Sequence, residues 1–534
     1  MLFLPKGGFS VRAIGFSLAM IFGFSPLLLP ADQKSAPASP SHEQLQSVIE
    51  FLADDLLEGR APATRGGELA EKYLLSLFKF MDLQPDTPQG FLQKFTAKGF
   101  TTTTVQLESD GAIYRYSDDI MGNYTGGEGD FSLEGEAVFA GFGIKADPWN
   151  WNDYKSGVKD KILILRATDP GFFIPNIFEG KTQTFYGRWT YKMEEAMRQG
   201  AKAVFIIHTP ETANYGWTVV QNSWSHESLY LPSAIDGSLV FRGWIREECM
   251  KRLLAAKNIN LDELYRKSLD RNFEPVPLGF NLRIAGHSVM RDVTTSNVVA
   301  RIPGKCEKRI VLSAHIDHLG KSDKKDQDSI YNGAIDNGSA VAALVLTAKR
   351  LKEMEKDLYY GITILACEAE EQGLLGSRYY VGNTDRNNII LDINFESSPV
   401  WEKSSSFFAE GSRFLDIDRQ LEEVSKKSGL KISHFSMVEQ ALYFRSDQFP
   451  FALKGIPGIW ISAGEDFASG RDHIKEFFTG DYHKVTDEYH TDWELESLKQ
   501  TVDVAVQLIE EFNRTKAVPH WKTGLAMPFP FENR

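Results

Sequence analysis

The chain has 534 residues, 42% hydrophobic and 25% charged, with 59 basic against 72 acidic side chains and a formal net charge of −13. That is longer than one ordinary domain, with the composition of a folded globular protein. The acidic balance excludes broad nucleic-acid binding, which needs a basic surface.

Lys6 and Arg12 precede an apolar run over 13–29, broken by Gly23 and Pro26. Pro30, Ala31 and a polar Pro/Ser-rich stretch follow. This is the layout of a secretory signal peptide (1–31) and a polar linker (32–40). The rival is a single retained anchoring helix, but the run is short and broken by Pro26, and no stable membrane span is expected after signal removal. No Cys follows it to carry a lipid, so the expected location is periplasmic or secreted. The three cysteines, Cys249, Cys306 and Cys367, are too few for a disulfide framework and read as free thiols.

Two amphipathic helices are expected within 41–83. Leu45, Val48, Ile49 and Leu52 share one face, and Leu69, Tyr73, Leu74, Leu77 and Phe78 share the other helix's face. Short alternating runs then predict β structure from about 91 to 134. The next stretch predicts strands at 137–140, 162–165, 239–243 and 276–284, a strand after Gly200, and a helix at 191–199. No convergent set of His and carboxylates accompanies them. This part reads as a separate β-rich module with one or two helices, over 125–285.

From 286 to 534 the pattern changes. Strands are expected at 297–304, 310–314, 362–366, 389–395, 407–409 and 457–461, with helices at 339–354, 415–427 and 498–512. Strand, helix, strand is the βαβ unit of a parallel sheet, so the fold class is α/β. In such sheets, sites form outside the carboxyl ends of the strands. His315 and Asp317 follow one strand, and Glu370 and Glu371 follow the next. Asp336 lies in a Gly-Ala-Ile-Asp-Asn-Gly turn before the helix. One His and several carboxylates meeting there fit a metal site, because zinc takes His nitrogen and carboxylate oxygen. A separate carboxylate must stay free to take a proton from water.

The segments SAHIDH, GAIDNGSA, CEAEEQGLLGS, INFE, RSDQFPFALKGIP and DYHKVTDEY, in this order, resemble the di-zinc exopeptidase family of bacterial leucyl-type aminopeptidases and glutamate carboxypeptidase. The resemblance covers roughly 297–512, and EGRAPATRGG extends it towards the N-terminus, making 41–124 the first part of the same domain. VFAGFGI, VKDKILIL and GAKAVFII resemble the protease-associated domain inserted in many members. The resemblance implies a three-layer α/β/α peptidase domain with a mixed, mostly parallel central sheet. It implies two zinc ions per chain and a peptide substrate. His315 would bind the first zinc, Asp336 would bridge, and Glu371 and His483 would bind the second. Glu370 would be the general base, and Asp317 would orient the His315 imidazole. It also implies a cis peptide at Asp336–Asn337.

The expected function is an exported aminopeptidase. A carboxypeptidase of the same family, a glutaminyl-cyclase-like acyltransferase and a non-catalytic binding relative stay open as alternatives. Arg445 is a candidate substrate contact, its alternative being an ion pair with Asp447. Gln448 stands where family members often carry His and is given no role. His318, His434, His473 and His490 read as surface groups or as groups behind the ligands.

The first zinc needs one more ligand, and ILDINFES offers Asp392 and Glu396. Residue type favours Asp392, since family members place Asp here. Position favours Glu396, which follows the Ile-Asn-apolar triplet and sits past the strand's end, whereas Asp392 falls mid-strand. The expectation is Glu396.

Overall fold

In the computed structural model, residue 10 and residues 38–530 are described, apart from 214, 236, 323–327 and 526. The expected signal peptide therefore lies outside the described residues. In chain order the elements that position the site begin with α1 (His42–Leu52) and α2 (Arg65–Phe80). A first group of strands and helices follows: β1 (Leu92–Ser109), β2 (Ile120–Tyr124), β3 (Gly129–Phe139), β4 (Ile162–Arg166), α3 (Trp189–Arg198), β5 (Ala203–His208), α4 (Trp217–Trp224), β6 (Phe241–Arg246), α5 (Glu247–Ala255) and α6 (Leu261–Lys267). The second group is β7 (Val276–Ile302), β8 (Arg309–His315), α7 (Ala340–Glu353), β9 (Gly361–Cys367), α8 (Leu375–Asn383), β10 (Ile389–Asn394), β11 (Ser406–Glu410), α9 (Asp418–Ser428), α10 (Gln448–Leu453), β12 (Gly458–Ala463) and α11 (Glu496–Thr515).

The strands form one sheet in the order β11-β12-β10-β8-β9-β7-β3-β4-β5-β6-β2. Strands β12, β10, β8 and β9 run parallel. β7 and β11 flank them antiparallel. Each central strand is apolar on both faces because helices cover both. Ile310, Leu312, Ala314, Ile362 and Ile364 pack with residues of α1, α2, α7 and α11. Val311, Leu365 and Cys367 pack on the opposite face with Tyr380 and Val381 of α8 and Phe451 of α10. Sheet and helices thus make the expected three layers.

The second half of the sheet, β3-β4-β5-β6, is also parallel. It too carries helices on both faces. Cys249, Met250, Leu253, Leu254, Leu261 and Leu264 of α5 and α6 pack against Phe139, Ile164 and Phe205. Met193 and Ala196 of α3 and Val220 and Trp224 of α4 pack against Val138, Leu165 and Val204. The region is more helical than the one or two helices expected. α5 and α6 have nine and seven residues, too short for a strong periodic signal.

Strand β7 corrects a second expectation, since two separate strands at 276–284 and 297–304 are one element of 27 residues. The polar stretch between them does not break it because β1 pairs along most of its length, from Arg283↔Glu108 to Val298↔Leu92. Exposed residues alternate with buried Leu278, Phe280, Leu282 and Ile284 along its first part, so outward polar side chains there stay solvated, while 295–300 are buried throughout. All three cysteines are free. No described helix is long and apolar enough to cross a membrane.

Candidate active site

Three adjacent strands, β10, β8 and β9, end at the same edge of the sheet. His315 is the last residue of β8. Glu370 and Glu371 lie three and four residues past the end of β9, and Glu396 two past the end of β10. Asp336 comes from the turn that enters α7. That turn starts at Gly333, whose φ is +60° and where a Cβ would lie 2.2 Å from the Asp336 carbonyl oxygen, so a side chain there is excluded.

Two residues not singled out in the sequence hold the turn in place. Asp487 accepts from the Ile335 and Asp336 N–H groups, at 2.9 and 3.0 Å. Arg60, buried beneath the turn, donates to the carbonyls of Ile316 (2.9 Å), Gly333 (3.0 Å) and Asn332. The Asp336–Asn337 peptide is cis.

The Asp336 carboxylate faces two imidazoles. Its Oδ1 lies 3.3 Å from His315 Nε2, and its Oδ2 lies 3.4 Å from His483 Nε2. His315 Nε2 is 3.2 Å from Glu396 Oε1, and His483 Nε2 is 3.2 Å from Glu371 Oε2. Donor atoms bonded at about 2.0–2.1 Å to a tetrahedral ion stand roughly 3.3 Å apart. The four spacings match that edge. Glu396 Oε2 is buried with no hydrogen-bond partner among the described residues, an acceptor facing the cluster that calls for a cation or an outside donor. The donor set and its spacing fit two zinc-sized cations sharing Asp336.

The electrostatics agree. Burial alone would lower the basicity of His315, but Glu396 and Glu370 outweigh it and hold the ring well above its ordinary value. His483 is raised to about 9, because Glu371 and Asp336 outweigh the effect of burial. Burial pushes the Glu370 carboxyl well up, and Glu396 and Glu371 add to this against the pull of His315. The cluster has more carboxylate than cation and so favours positive charge.

His318 is fully buried, so it belongs behind the ligands and not on the surface. With Asp336 and Glu371 it forms a compact donor group. Its Nδ1 lies 2.8 Å from Glu371 Oε1. That is a hydrogen-bond length, shorter than the edge between two ligands of one ion. His318 therefore holds one oxygen of Glu371 while the other faces His483.

Asp317 departs from expectation. Its carboxylate is 3.8 Å from His315 Nδ1, too far for a hydrogen bond. The imidazole lies 3.1 Å from the Asp317 main-chain carbonyl oxygen instead. The carboxylate accepts from the Glu370 and Glu371 N–H groups, at 3.0 and 3.3 Å. It fixes the turn that carries both glutamates, because two backbone donors there would otherwise be buried unpaired. Asp392 is buried mid-strand, accepts from Ser313 Oγ at 3.0 Å, and is held well above the usual carboxylate range by burial. It does not reach the cluster.

Arg445 makes no pair with Asp447. Its guanidinium donates to Gln440 Oε1 (3.0 Å) and to the Tyr482 hydroxyl (2.8 Å), and Asp447 accepts from Ser377. Gln448 bridges the Tyr443 carbonyl and Asn394 inside the core, at 2.7 and 2.9 Å. His473 stacks on Trp401 and lies 3.1 Å from Glu402, and His490 is exposed.

A cleft opens beside Glu370, Glu371 and His483. Its far wall is built by α3, α4 and the segment after α4: Arg188, Trp189, Tyr215, Ser223, Leu229 and Tyr230 all line it. The Leu229 N–H donates to Gln372 Oε1 at 3.0 Å, and Glu194 pairs with Arg378 at 2.8 Å. Ser223 and Asn222 reach His483 itself. Nothing in the sequence signalled these contacts, since α4 carries no charged residue or motif.

Among curated proteins, the chain is 29% identical over 138 residues to the alkaline phosphatase isozyme conversion protein of Escherichia coli, covering 24% of this chain and 39% of that one. It is 26% identical over 253 residues to leupeptin-inactivating enzyme 1 of Streptomyces exfoliatus, covering 45% and 52%. The matched stretches thus span about half or less of these relatives' length. Among solved structures, an aminopeptidase from Aneurinibacillus sp. strain AM-1 shares the fold, with a TM-score of 0.50 at 17% identity, covering 92% of this chain and 97% of that one. The model of peptidase family M28 matches residues 297–509, the span that contains His315, Asp336, Glu370, Glu371, Glu396 and His483. Over that span, about two fifths of the chain, the sequence is similar to peptidase family M28.

Proposed function

We propose that this chain is an exported, zinc-dependent exopeptidase that removes N-terminal residues from peptides. The observation that carries the reading is Asp336, with one carboxylate oxygen 3.3 Å from His315 and the other 3.4 Å from His483. His315, Asp336 and Glu396 would hold one zinc, and Asp336, Glu371 and His483 the other. Bound zinc lowers the pKa of water and polarises the scissile carbonyl.

Glu370 is the carboxylate at the cleft left over from both donor sets. It takes the proton of the water that attacks the carbonyl and returns it to the leaving amine. Its raised proton affinity suits this return. Asp317 keeps Glu370 and Glu371 in fixed relation by holding both of their N–H groups. Residues 125–285 serve as the protease-associated domain and roof the cleft, which limits access to chain ends and short peptides. The full donor set opposes a non-catalytic binding role, and two donor clusters sharing one carboxylate oppose a one-zinc acyltransferase. Export rests on the pattern of residues 6–31, and N-terminal sequencing of the mature protein checks it.

The test of function is a panel of aminoacyl anilides and N-blocked peptides, assayed with and without a chelator. Hydrolysis of the free-amine substrates is expected to vanish on chelation and to return with zinc. Full activity in metal-free protein overturns the reading.

A further inference from the structure

Past α11 the chain continues over 516–530 with no further helix or strand among the described residues. A segment of this kind is ordered only where other groups tie it down. The His520 carbonyl accepts from the Asp416 N–H at 3.0 Å, and the Lys522 N–H donates to the Phe414 carbonyl at 2.8 Å. The Trp521 indole N–H donates to the Gly455 carbonyl at 3.0 Å. These three partners belong to the peptidase part. The segment then reaches the opposite wall of the cleft, where the Phe185 N–H donates to the Pro528 carbonyl at 3.2 Å. Phe185 is buried, so without Pro528 that donor would lose its partner.

Phe529, the next residue, is 1% exposed. Its ring packs edge-on against Phe449 at 5.4 Å, Trp521 at 5.8 Å, Phe444 at 5.9 Å and Phe414 at 6.1 Å between centroids. Phe185 packs on two of the same rings, 4.6 Å from Phe449 and 6.4 Å from Phe444. Leu374, in the turn that follows Glu370 and Glu371, belongs to the same cluster. Phe185, Leu374 and Phe444 line the cleft beside Glu370, and Phe529 stands behind them without lining it. Edge-to-face aromatic pairs have a preferred geometry, and a close-packed interior passes a displacement on to its neighbours. The placement of Phe185, and of the start of α3 directly after it, therefore depends on what fills the position of Phe529.

We propose that Phe529 is a positioning residue for substrate binding. Through Phe449 and Phe444 it holds Phe185 and the start of α3 at a fixed distance from Leu374, and so sets the width of the cleft. The candidate zinc ligands and Glu370 are held by other groups, namely Asp317, His318 and Asp487. The chemical step is therefore insulated from Phe529, and peptide binding is not. The effect on binding rests on the peptidase reading above, whereas the ordering of Phe185 by Phe529 stands without it.

The experiment compares zinc-loaded full-length protein with its Phe529→Ala and Phe529→Leu variants. KM and kcat are measured on a leucyl anilide, zinc by metal analysis, and backbone order by hydrogen exchange. Phe529→Ala is expected to raise KM about tenfold, with kcat within about twofold and zinc content unchanged. Amides over 185–198 should exchange about tenfold faster, while those of α7 stay at parent level. Phe529→Leu keeps most of the apolar volume, so it keeps the test usable if the Ala variant fails to fold, and it should raise KM about threefold. Parent-level KM and parent-level exchange over 185–198 in the Leu variant overturn the proposal. So does exchange that quickens evenly across the protein with KM unchanged, which would make Phe529 a core residue and no more. A fall in kcat with loss of zinc also overturns it, by placing the effect at the metal cluster. Faster exchange confined to 185–198, in a protein whose parent hydrolyses nothing, sinks the peptidase reading and leaves the positioning of Phe185 standing.

Discussion

Ser223 Oγ lies 3.2 Å from Nδ1 of His483, so a residue of α4 braces an imidazole whose Nε2 faces Asp336 and Glu371. Asn222 adds a bond to the His483 carbonyl at 3.3 Å. The two halves of the sheet therefore meet at the candidate metal centre as well as along β7. A hydrogen bond to the far nitrogen of a ligating His fixes its ring and tautomer.

Ser223→Ala is expected to weaken zinc binding at the His483 side by about tenfold, with the fold intact. Chelator competition measures it, with the His315 side as internal reference. Equal loss at both sides, or none, contradicts the brace.

His318→Ala should act on the same side from within the peptidase part. Glu371 would lose the partner that holds its Oε1, and zinc affinity should fall about 10- to 100-fold. If His318 were itself a ligand, the variant would lose one zinc outright even at saturating metal, and metal analysis separates the two outcomes.

Glu396→Ala should leave one zinc per chain, and Asp392→Asn should keep two. The reason is placement, since Glu396 reaches His315 at 3.2 Å while Asp392 is tied to Ser313. The opposite pattern in metal analysis reverses the assignment.

Glu370→Gln should lower kcat by about 10²–10⁴-fold with zinc content unchanged. Loss of a zinc in this variant would show that Glu370 is a ligand and not the proton carrier.

One stability effect lies away from the metal centre. His208, at the end of β5, is buried with its Nε2 3.0 Å from the Tyr215 carbonyl, and burial lowers it to about 4. The folded state favours the neutral ring. Stability from this group is full above the unfolded value near 6.5 and is lost as pH falls towards 4. The drop from 6.5 to about 4 corresponds to roughly 3 kcal/mol at about 1.4 kcal/mol per unit. Denaturant unfolding of His208→Gln should show a shallower fall over that window. An unchanged slope would assign the pH dependence to other groups.

Much of the peptidase part was legible in the sequence because its signals are local. Runs such as IVLSA and ITILA are apolar on both faces, and only a strand buried between helices has that pattern. Each such run leads within a few residues to His, Asp or Glu, and topology puts the carboxyl ends of neighbouring parallel strands together. The choice between Asp392 and Glu396 could be posed from position alone. Only the register of β10 on β8 shows which side chain reaches His315.

What the tertiary structure decided are relations between segments distant in sequence. Arg60 holds carbonyls more than 250 residues away, and Ser223 meets His483 across 260. Asp317 illustrates the limit within a motif: the family resemblance implied that its carboxylate orients the His315 imidazole, yet the turn after β9 offers two backbone N–H groups that claim the carboxylate. A sequence records which donors and acceptors exist. Which of them pair depends on burial, where each must find a partner and the nearest in space takes it.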